Sequence, residues 1–352
     1  MSTIKDVAEA AGVSIATVSR ALHGLPRVSE ATRQRVLAVA AELRYVASPS
    51  AASLASGQTH AIGVVAPYIN RWYFGAIVHS AEERLRAAGY DLLLYSLGTD
   101  AHERRRAFSG TLLRKRVDGV LVLALHPTTD EAATLSAVGG PVAVVGAAVP
   151  GWASVRIDDE ASARCAVRHL VELGHRRIGF IGGDDPLRTP MPGERRRGYR
   201  AELAAVGRPA ATELETVGDF TVSGGYAAAA RLLALPEPPT ALFAASDEMA
   251  MGALQAARHA GLRVPEDVSV IGIDDHEMAQ LLDLTTVAQP VVAQGVLAAE
   301  MILSALADPD QEPPAVVVPT ELVVRRTTGP VGRPPDTGSA TGERAVRDRP
   351  VV

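Results

Sequence analysis

The sequence predicts an α/β protein in which a small all-helical N-terminal unit precedes a larger two-lobed α/β domain. Short apolar stripes with helical spacing recur over residues 3–45. From residue 61 onward, continuous apolar runs alternate with amphipathic stretches, a pattern typical of parallel strands that helices cover on both faces. This alternation lasts for about 270 residues, which favours two linked lobes over one.

Three helices are predicted in the N-terminal unit, and each has a start signal. Their apolar stripes are Ile4, Val7, Ala8 and Ala11; Ile15, Val18 and Leu22; and Val36, Val39, Ala40 and Leu43. Thr3 with Asp6 has the spacing of a capping box, and Ser14 and Ser29 are expected to cap the second and third helices. Only residues 12–14 separate the first two helices, so we predict a tight helix-turn-helix corner.

The larger domain contains alternating strands and helices. Predicted strands are 61–66, 91–97, 119–125, 142–145, 154–157, 177–182, 241–244 and 268–273, and predicted helices include 76–88, 160–173, 194–205 and 247–260. Ligands of such folds bind at the carboxyl ends of the strands, so we expect a site in the cleft between the lobes.

These patterns divide the chain into four segments. They are a helical unit (1–46), a linker rich in Ser, Ala and Gly (47–60), the two-lobed domain (61–328), and a tail (329–352). The tail is rich in Pro, Gly and charge, has no leucine heptads, and is predicted to be disordered.

Composition limits the function classes. Apolar residues make up 47% of the 352 residues and charged residues 21%, the balance of a globular protein. Residues 1–58 hold six basic and four acidic side chains, a net +2, so with a total of −5 the remainder carries −7. A nucleic-acid site must therefore be local, and the sign favours the N-terminal unit.

The same composition bears on compartment and chemistry. Cys165, the only cysteine, cannot form an intramolecular disulfide and is expected in a core. With no secretion signal and no membrane-length apolar run, we expect a cytoplasmic protein without a membrane partner. No metal-spaced cluster, nucleophile–base pair or phosphate loop occurs, so no cofactor, metal or catalytic residue is predicted. Asp274 and Asp275 resemble a catalytic carboxylate pair, but adjacent loop residues usually diverge.

The second helix suggests a DNA-reading surface. Over residues 14–20 (SIATVSR), one face is apolar, and the opposite face carries small hydroxyls and Arg20. Hydroxyls and helix N-terminal amides suit phosphate oxygens, and an arginine can bind a guanine edge. Ile15 can serve either as core or as a base reader.

The motifs resemble those of the LacI family of bacterial repressors. TIKDVAEAAGVSIATVSRAL and VSEATRQRVLAVAAELRY are similar to its N-terminal headpiece, and RWYFGAIVHSAEERLRAAGYDLLL to its first effector-domain unit. HLVELGHRRIGFIGG, ERRRGYRAEL, FAASDEMAMGAL and VPEDVSVIGIDD follow in family order. The resemblance covers about residues 3–328. It implies a periplasmic-binding-protein-like effector domain and an effector-controlled transcriptional repressor that dimerises.

The resemblance implies roles on DNA. Helix 15–22 would lie in the major groove, where Ile15, Ala16 and Arg20 would read bases. Thr3, Ser14, Thr17, Ser19 and His23 would hold phosphates, although His23 suits a solvated side chain equally well. Hinge residues 48–56 would fold on operator DNA and insert Leu54 into the minor groove. Here Ala47-Ser48 and Ala51-Ala52 depart from the usual Pro-Asn and Ala-Arg, which removes a possible contact.

The resemblance also implies an effector site. Arg195 and Asp274 would project into the cleft, Phe220 would stack on the ligand, and Tyr73 and Phe74 would contribute from the first lobe. Ser246 replaces a common Asn, which shortens or removes one contact, and Asp247 is expected to cap the helix from 248. Sugars or their derivatives are the expected effectors, although purines also occur. Without the resemblance, the run 195–197 of arginines would indicate a solvated helix face.

Two alternative functions are compatible with parts of the sequence. A sugar-binding protein of a transporter shares the two-lobed pattern, but the helical unit and the lack of a secretion signal oppose it. An α/β enzyme is disfavoured because no catalytic constellation appears.

Overall fold

The computed structural model describes residues 2–22, 24, 26–45, 57–97, 101–108, 113–183 and 193–332, with the side chains of 101, 103 and 107 left out. The described chain forms two compact units and passes between them at 157–158, 289–290 and 319–320. Among the described residues, no helix is both long and apolar enough to span a bilayer.

The headpiece contains three helices, α1 (Ile4–Ala11), α2 (Ile15–Leu22) and α3 (Glu30–Glu42). The capping box of Thr3 and Asp6 is present. The hydroxyls of Ser14 and Ser29 each accept a hydrogen bond from the backbone amide three residues further along the chain, so all three predicted caps are confirmed. Gly12 ends α1 in the left-handed conformation, which lets the chain turn sharply into α2. The core of the headpiece consists of Val7, Ala8, Ala11, Val18, Ala21, Val36 and Ala40.

The first unit also contains a six-stranded parallel sheet. Its strands are β1 (Ala61–Ala66), β2 (Asp91–Ser96), β3 (Gly119–Leu123), β4 (Val142–Val145), β5 (Ala153–Arg156) and β11 (Ala315–Val317), in the order β11-β5-β4-β3-β1-β2. Its helices are α4 (Trp72–Ala87), α5 (Ala101–Phe108), α6 (Thr129–Ser136) and α11 (Val291–Ala307). Val64 and Val65 pack into different buried clusters, so both faces of the sheet are covered, as the apolar runs predicted.

The second unit repeats this plan with one antiparallel edge. Its strands are β6 (Ile178–Gly182), β7 (Glu215–Val217), β8 (Ala241–Ala244), β9 (Ser269–Asp274), β10 (Thr285–Ala288) and β12 (Glu321–Val323), in the order β12-β10-β9-β8-β6-β7. Only β12 pairs antiparallel among these strands. Its helices are α7 (Asp159–Glu172), α8 (Glu194–Ala205), α9 (Val222–Leu233) and α10 (Asp247–His259), with a short 3-10 turn at Thr212–Leu214.

The first residues of the predicted tail, 329–332, belong to the described structure. Within them, Gly329 donates to Ser269 and Val331 donates to the carbonyl of Leu173. The remaining tail lies outside the described residues, as do His23 and most of the linker. Cys165 is half-buried against the core of the second unit, less enclosed than expected.

Candidate nucleic-acid interface and effector site

One face of α2 is exposed and carries the predicted base readers. Val18 and Ala21 are buried in the headpiece core, which turns Ala16 and Arg20 toward solvent. Ile15 is 43% exposed, so of its two sequence interpretations the structure excludes a buried core position. This face therefore presents the branched sec-butyl side chain of Ile15, the methyl group of Ala16 and the guanidinium of Arg20 to solvent.

Three of the hydroxyls predicted to hold phosphates, those of Thr3, Ser14 and Thr17, lie at the starts of α1 and α2. Thr3 is bonded to Asp6, and the hydroxyls of Ser14 and Thr17 lie 2.9 Å apart. The backbone bond from Thr3 holds the pKa of Asp6 below its usual range. These hydroxyls already shape the helix starts, so a phosphate would meet them together with the first backbone amides of each helix. Ser19 is half-buried on α2; His23 and Leu54 lie outside the described residues.

In the second unit, the candidate effector residues converge on the carboxyl edge of the sheet. Arg195 and Asp247 lie in the first turns of α8 and α10, while Asp274 ends β9. Two residues that sequence reasoning missed join them: Asp159 begins α7 and Gln289 follows β10. In parallel α/β sheets ligands bind at this edge, because the loops that follow the parallel strands all begin there.

Arg195 is the most connected of these side chains. Its Nε donates to Asp159 Oδ1 at 2.6 Å, and its Nη1 donates to the carbonyl of Ala245. The same Nη1 lies 3.8 Å from Asp274 Oδ1. With 17% of its side chain exposed, Arg195 departs from the solvated face that an arginine run alone would indicate.

Asp274 is buried, and its surroundings fix its direction. Its Oδ1 accepts from Gln289 Nε2 at 2.6 Å. Its backbone has φ +136°, and that of Asp275 has φ +56°, both rare for side-chain-bearing residues. Asp275 turns away and pairs with Arg325 at 2.7 Å. The adjacent carboxylates thus diverge, as the sequence predicted, and do not form a catalytic pair.

Asp247 has a role different from the predicted one. We expected it to cap the helix, but Ser246 is the N-cap and accepts from Met249 N at 3.3 Å. The Asp247 carboxylate instead accepts from the Thr286 hydroxyl at 2.7 Å and from His276 N at 2.9 Å. A carboxylate can reach two neighbouring segments at once, so Asp247 ties α10 to β10 and to the loop after Asp274.

The electrostatics of this edge are unusual for carboxyl groups. Burial raises the pKa of Asp274, with the charge of Arg195 opposing the shift. Burial and the nearby charge of Asp274 also raise the pKa of Asp247. The edge therefore combines a guanidinium donor with carboxylate acceptors, a set suited to hydroxyl-rich molecules.

The predicted aromatic positions differ in accessibility. Phe220 follows β7 with φ +52° and lies so close to Gly183 that a side chain at position 183 would collide with its ring. In the first unit, the Tyr73 hydroxyl lies over Gly146, just after β4, at the carboxyl edge of that sheet. Phe74 is 2% exposed and packs edge-on against Tyr73 within the core, so it supports Tyr73 from behind.

Both parts of the chain match known families. The profile of bacterial regulatory proteins, lacI family, matches residues 3–48, and that of the periplasmic binding protein-like domain matches residues 167–328. The chain is 35% identical over 337 residues to the HTH-type transcriptional regulator DegA of Bacillus subtilis (strain 168), across 94% of this chain and 99% of DegA. The chain belongs to the LacI family. It is also 35% identical to the HTH-type transcriptional repressor CytR of Escherichia coli (strain K12), across 93% and 96% of the two chains.

Solved structures of transcriptional regulators match nearly the full length of this chain. The lac repressor dimer bound to operator and the anti-inducer ONPF superposes with a TM-score of 0.81 at 29% identity, across 93% of this chain and 99% of that one. The complex of the transcriptional regulator CelR with cellobiose gives 0.68 at 34% identity, across 93% and 100%. This LacI-family chain is a DNA-binding transcriptional regulator and not an enzyme, which also excludes the transporter alternative.

The missed residues of this LacI-family chain had only a weak signal in the sequence. Asp158-Asp159 directly follows a predicted strand, and a carboxylate at that place is brought to the carboxyl edge of a sheet. The Gln289-Pro290 step had no such mark, because β10 was not predicted.

Proposed function

We propose that this regulator represses transcription by placing α2 in the major groove of an operator, and that a small molecule at the carboxyl edge of the second sheet controls this binding. The convergence of Arg195, Asp159, Asp274 and Gln289 on that edge carries the proposal. Hydrogen bonds hold these polar side chains in place before a ligand binds. The cluster also lies at the edge where α/β sheets bind ligands, so it has the properties of a preformed binding site.

On DNA, the proposed division of labour follows the exposed face of α2. Arg20 reads a guanine edge, and Ile15 and Ala16 make apolar contacts with neighbouring bases. Thr3, Ser14, Thr17, Ser19 and His23 hold phosphates, which fixes the register without reading sequence. Leu54, in hinge 48–56, acts as a minor-groove wedge, and its substitution by Ala should reduce both operator affinity and bending.

We propose a carbohydrate or a sugar derivative as the effector. A hydroxyl-rich ligand can accept from the Arg195 guanidinium and donate to the Asp274 carboxylate. Phe220 offers a ring face and Ser246 a short hydroxyl, while Tyr73, backed by Phe74, is our proposed contribution from the first unit. The related CelR structure contains cellobiose, which supports a carbohydrate as the class of effector.

We propose a homodimer acting in the cytoplasm on operator DNA. The segment after β9 exposes Met278, Leu281 and Leu282, and Leu281 is 75% exposed. Clustered exposed leucines mark an association surface, and a two-fold dimer suits a pseudo-palindromic operator. The tail sequence, with four prolines and no leucine, cannot form a tetramerising coiled coil.

The test of this function has two steps. Purified protein is titrated onto labelled duplex from its own promoter region and onto a scrambled duplex of equal length. A thermal-shift screen of sugars, sugar phosphates and purines then finds effectors, because a bound ligand raises stability by mass action. Equal affinity for both duplexes would contradict sequence-specific DNA binding. A change of operator affinity on addition of a compound found in the screen would support regulation by an effector.

A further inference from the structure

The first unit has a cavity at the end of its sheet opposite to Tyr73. It lies where β3, β4 and β5 begin, next to the last turns of α11 and the loop leading into β11. Strands of four to five residues separate the two edges by about 15 Å. The cavity has a volume of about 430 Å³, the size of a small-molecule site.

The walls of this cavity are apolar and stiff. Trp152, Pro141, Met301, Leu306, Pro309 and Pro314 are among the lining residues. Trp152 is fixed because its Nε1 donates to the Ser136 hydroxyl at 3.0 Å. Proline rings and a fixed indole lose little conformational freedom when a ligand binds, so they favour a flat or ring-bearing occupant.

The charged side chains of the lining are acidic, and its other polar side chains, Ser136, Ser304 and Gln311, are neutral. Asp118 and Glu312 line the cavity, and no lysine, arginine or histidine does so among the described residues. Lys115 and Arg116, the nearest cations along the chain, are exposed and absent from the lining. The carboxyl end of α11 contributes a further partial negative charge, and no basic residue in its last turn offsets it.

Asp118 has room for one more donor. Its Oδ1 accepts from the backbone and hydroxyl of Thr59, and its Oδ2 accepts from His60 N at 2.8 Å. A carboxylate has about four acceptor sites, so three bonds leave one open. Thr59 and His60 are the last residues of the linker, so a ligand on Asp118 would contact the group that anchors the end of the linker to the sheet.

We propose that this cavity is a second small-molecule site, selective for an organic cation that carries a ring. The ring packs on Trp152 and the prolines, and the ammonium group pairs with Asp118 and Glu312. Anionic ligands such as sugar phosphates are excluded by charge. This site is separate from the proposed effector site on the second unit and does not depend on it.

The test uses Trp152 as its own reporter. The chain contains two tryptophans, so Trp72→Phe leaves Trp152 as the sole indole fluorophore. The probes are phenethylammonium, neutral 2-phenylethanol and anionic 3-phenylpropanoate, which share one ring. We expect saturable emission changes with affinity in the order cation, neutral, anion, and at least about a tenfold gap between cation and anion. Calorimetry on the unsubstituted chain repeats the ranking independently of the reporter variant.

A matched pair of variants locates the binding. Ala305 lines the cavity, whereas Ala307, in the same last turn of α11, is exposed and does not. Ala305→Phe should abolish phenethylammonium binding, Ala307→Phe should retain it, and Glu312→Gln should weaken the cation selectively. Absence of saturation with every probe, equal affinity for cation and anion, or unchanged binding in Ala305→Phe would overturn the proposal. Arg195→Ala should have no effect, which separates this site from the effector site.

Discussion

Arg195 and Asp159 form an ion pair in the second unit, with Nε 2.6 Å from Oδ1 and both side chains less than a quarter exposed. The two residues begin different helices, α8 and α7. The pair therefore fixes the direction of the Arg195 guanidinium before any ligand arrives. This makes Asp159 a positioning residue for the proposed effector site.

Asp159→Asn should weaken effector binding about fivefold, because a partly exposed ion pair contributes about 1 kcal/mol to holding the arginine. Calorimetry with a hit from the thermal-shift screen measures the effect. Asp158→Asn is the matched control, since Asp158 caps α7 and Asn caps equally well. If both variants bind the effector like the wild type, Asp159 does not position Arg195 for the ligand.

Arg20→Ala should cost about 1–3 kcal/mol of operator affinity and relax the preference at one base pair per half-site. The loss arises because a guanidinium that bonds a guanine edge discriminates among bases. Arg35→Ala, on the exposed face of α3, is the control and should change affinity little. Selection from a randomised half-site reads the preference directly. An unchanged base preference in Arg20→Ala would mean that another residue reads that position.

The sequence predicted the continuously apolar strands better than a buried strand that contains polar residues. β1 was predicted at its observed bounds, 61–66, because a continuous apolar run can be buried on both faces. β10 was missed because Thr285 and Thr286 look polar, yet both are fully buried. Their hydroxyls are satisfied by Thr328 and Asp247, partners that are distant in sequence. Such compensation arises only from the tertiary structure.

Helix α9 also depends on tertiary contacts that the sequence alone does not show. Its sequence contains Gly224 and Gly225, which usually weaken a helix prediction. A side chain on Gly225 would collide with the backbone of Met249, and one on Gly252 would collide with that of Val222. The glycines therefore permit α9 and α10 to pack closely. The residues of the effector cluster were likewise only partly predictable from the sequence. Arg195 and Asp274 lie in recognisable motifs, whereas Asp159 and Gln289 are identified only by their contacts in the folded structure.

Leu281→Asp should convert the proposed dimer to monomers, because burying a carboxylate in an apolar interface is costly. Val206→Asp replaces another exposed apolar residue of the same unit and should leave the dimer intact. Light scattering at micromolar concentration distinguishes the two states. A tetrameric wild type, or a Leu281→Asp variant that remains dimeric, would contradict this assembly.

His175 should make the second unit sensitive to acid. Its Nε2 lies 3.1 Å from the Gly329 carbonyl, so Nε2 carries the proton and Nδ1 accepts from the Thr240 hydroxyl. Burial lowers the pKa of His175 below 6.5, so its stabilising contribution is full above that pH and is lost as pH falls through the lowered value.

The stability advantage of the wild type over His175→Gln should therefore shrink as the pH is lowered below about 6.5 in urea unfolding experiments. Asp247 and Asp274, whose raised pKa values shift stability in the opposite direction, occur in both proteins and cancel in the difference. A constant difference across this range would show that His175 does not titrate between the folded and unfolded states.

Control of DNA binding by the effector requires that ligand binding in the second unit changes the operator affinity of the headpiece. A ligand shifts the DNA-binding equilibrium only if its affinity differs between two conformations of the protein. Arg195→Ala or Asp274→Ala should each cost about 1.5–3 kcal/mol of effector affinity, since each removes a charge-assisted hydrogen bond. Neither residue lies in the headpiece, so operator binding without effector should stay near wild type. Tyr73→Ala should weaken effector binding and reduce its influence on the operator.

The most direct measurement is an operator titration by fluorescence anisotropy, with and without a screened effector, for the wild type, Arg195→Ala and Asp274→Ala. We predict that effector changes the operator affinity of the wild type, and that both variants bind operator normally but do not respond at effector concentrations that saturate the wild type. If both variants bind the effector and respond like the wild type, the effector site is elsewhere and the central claim is wrong.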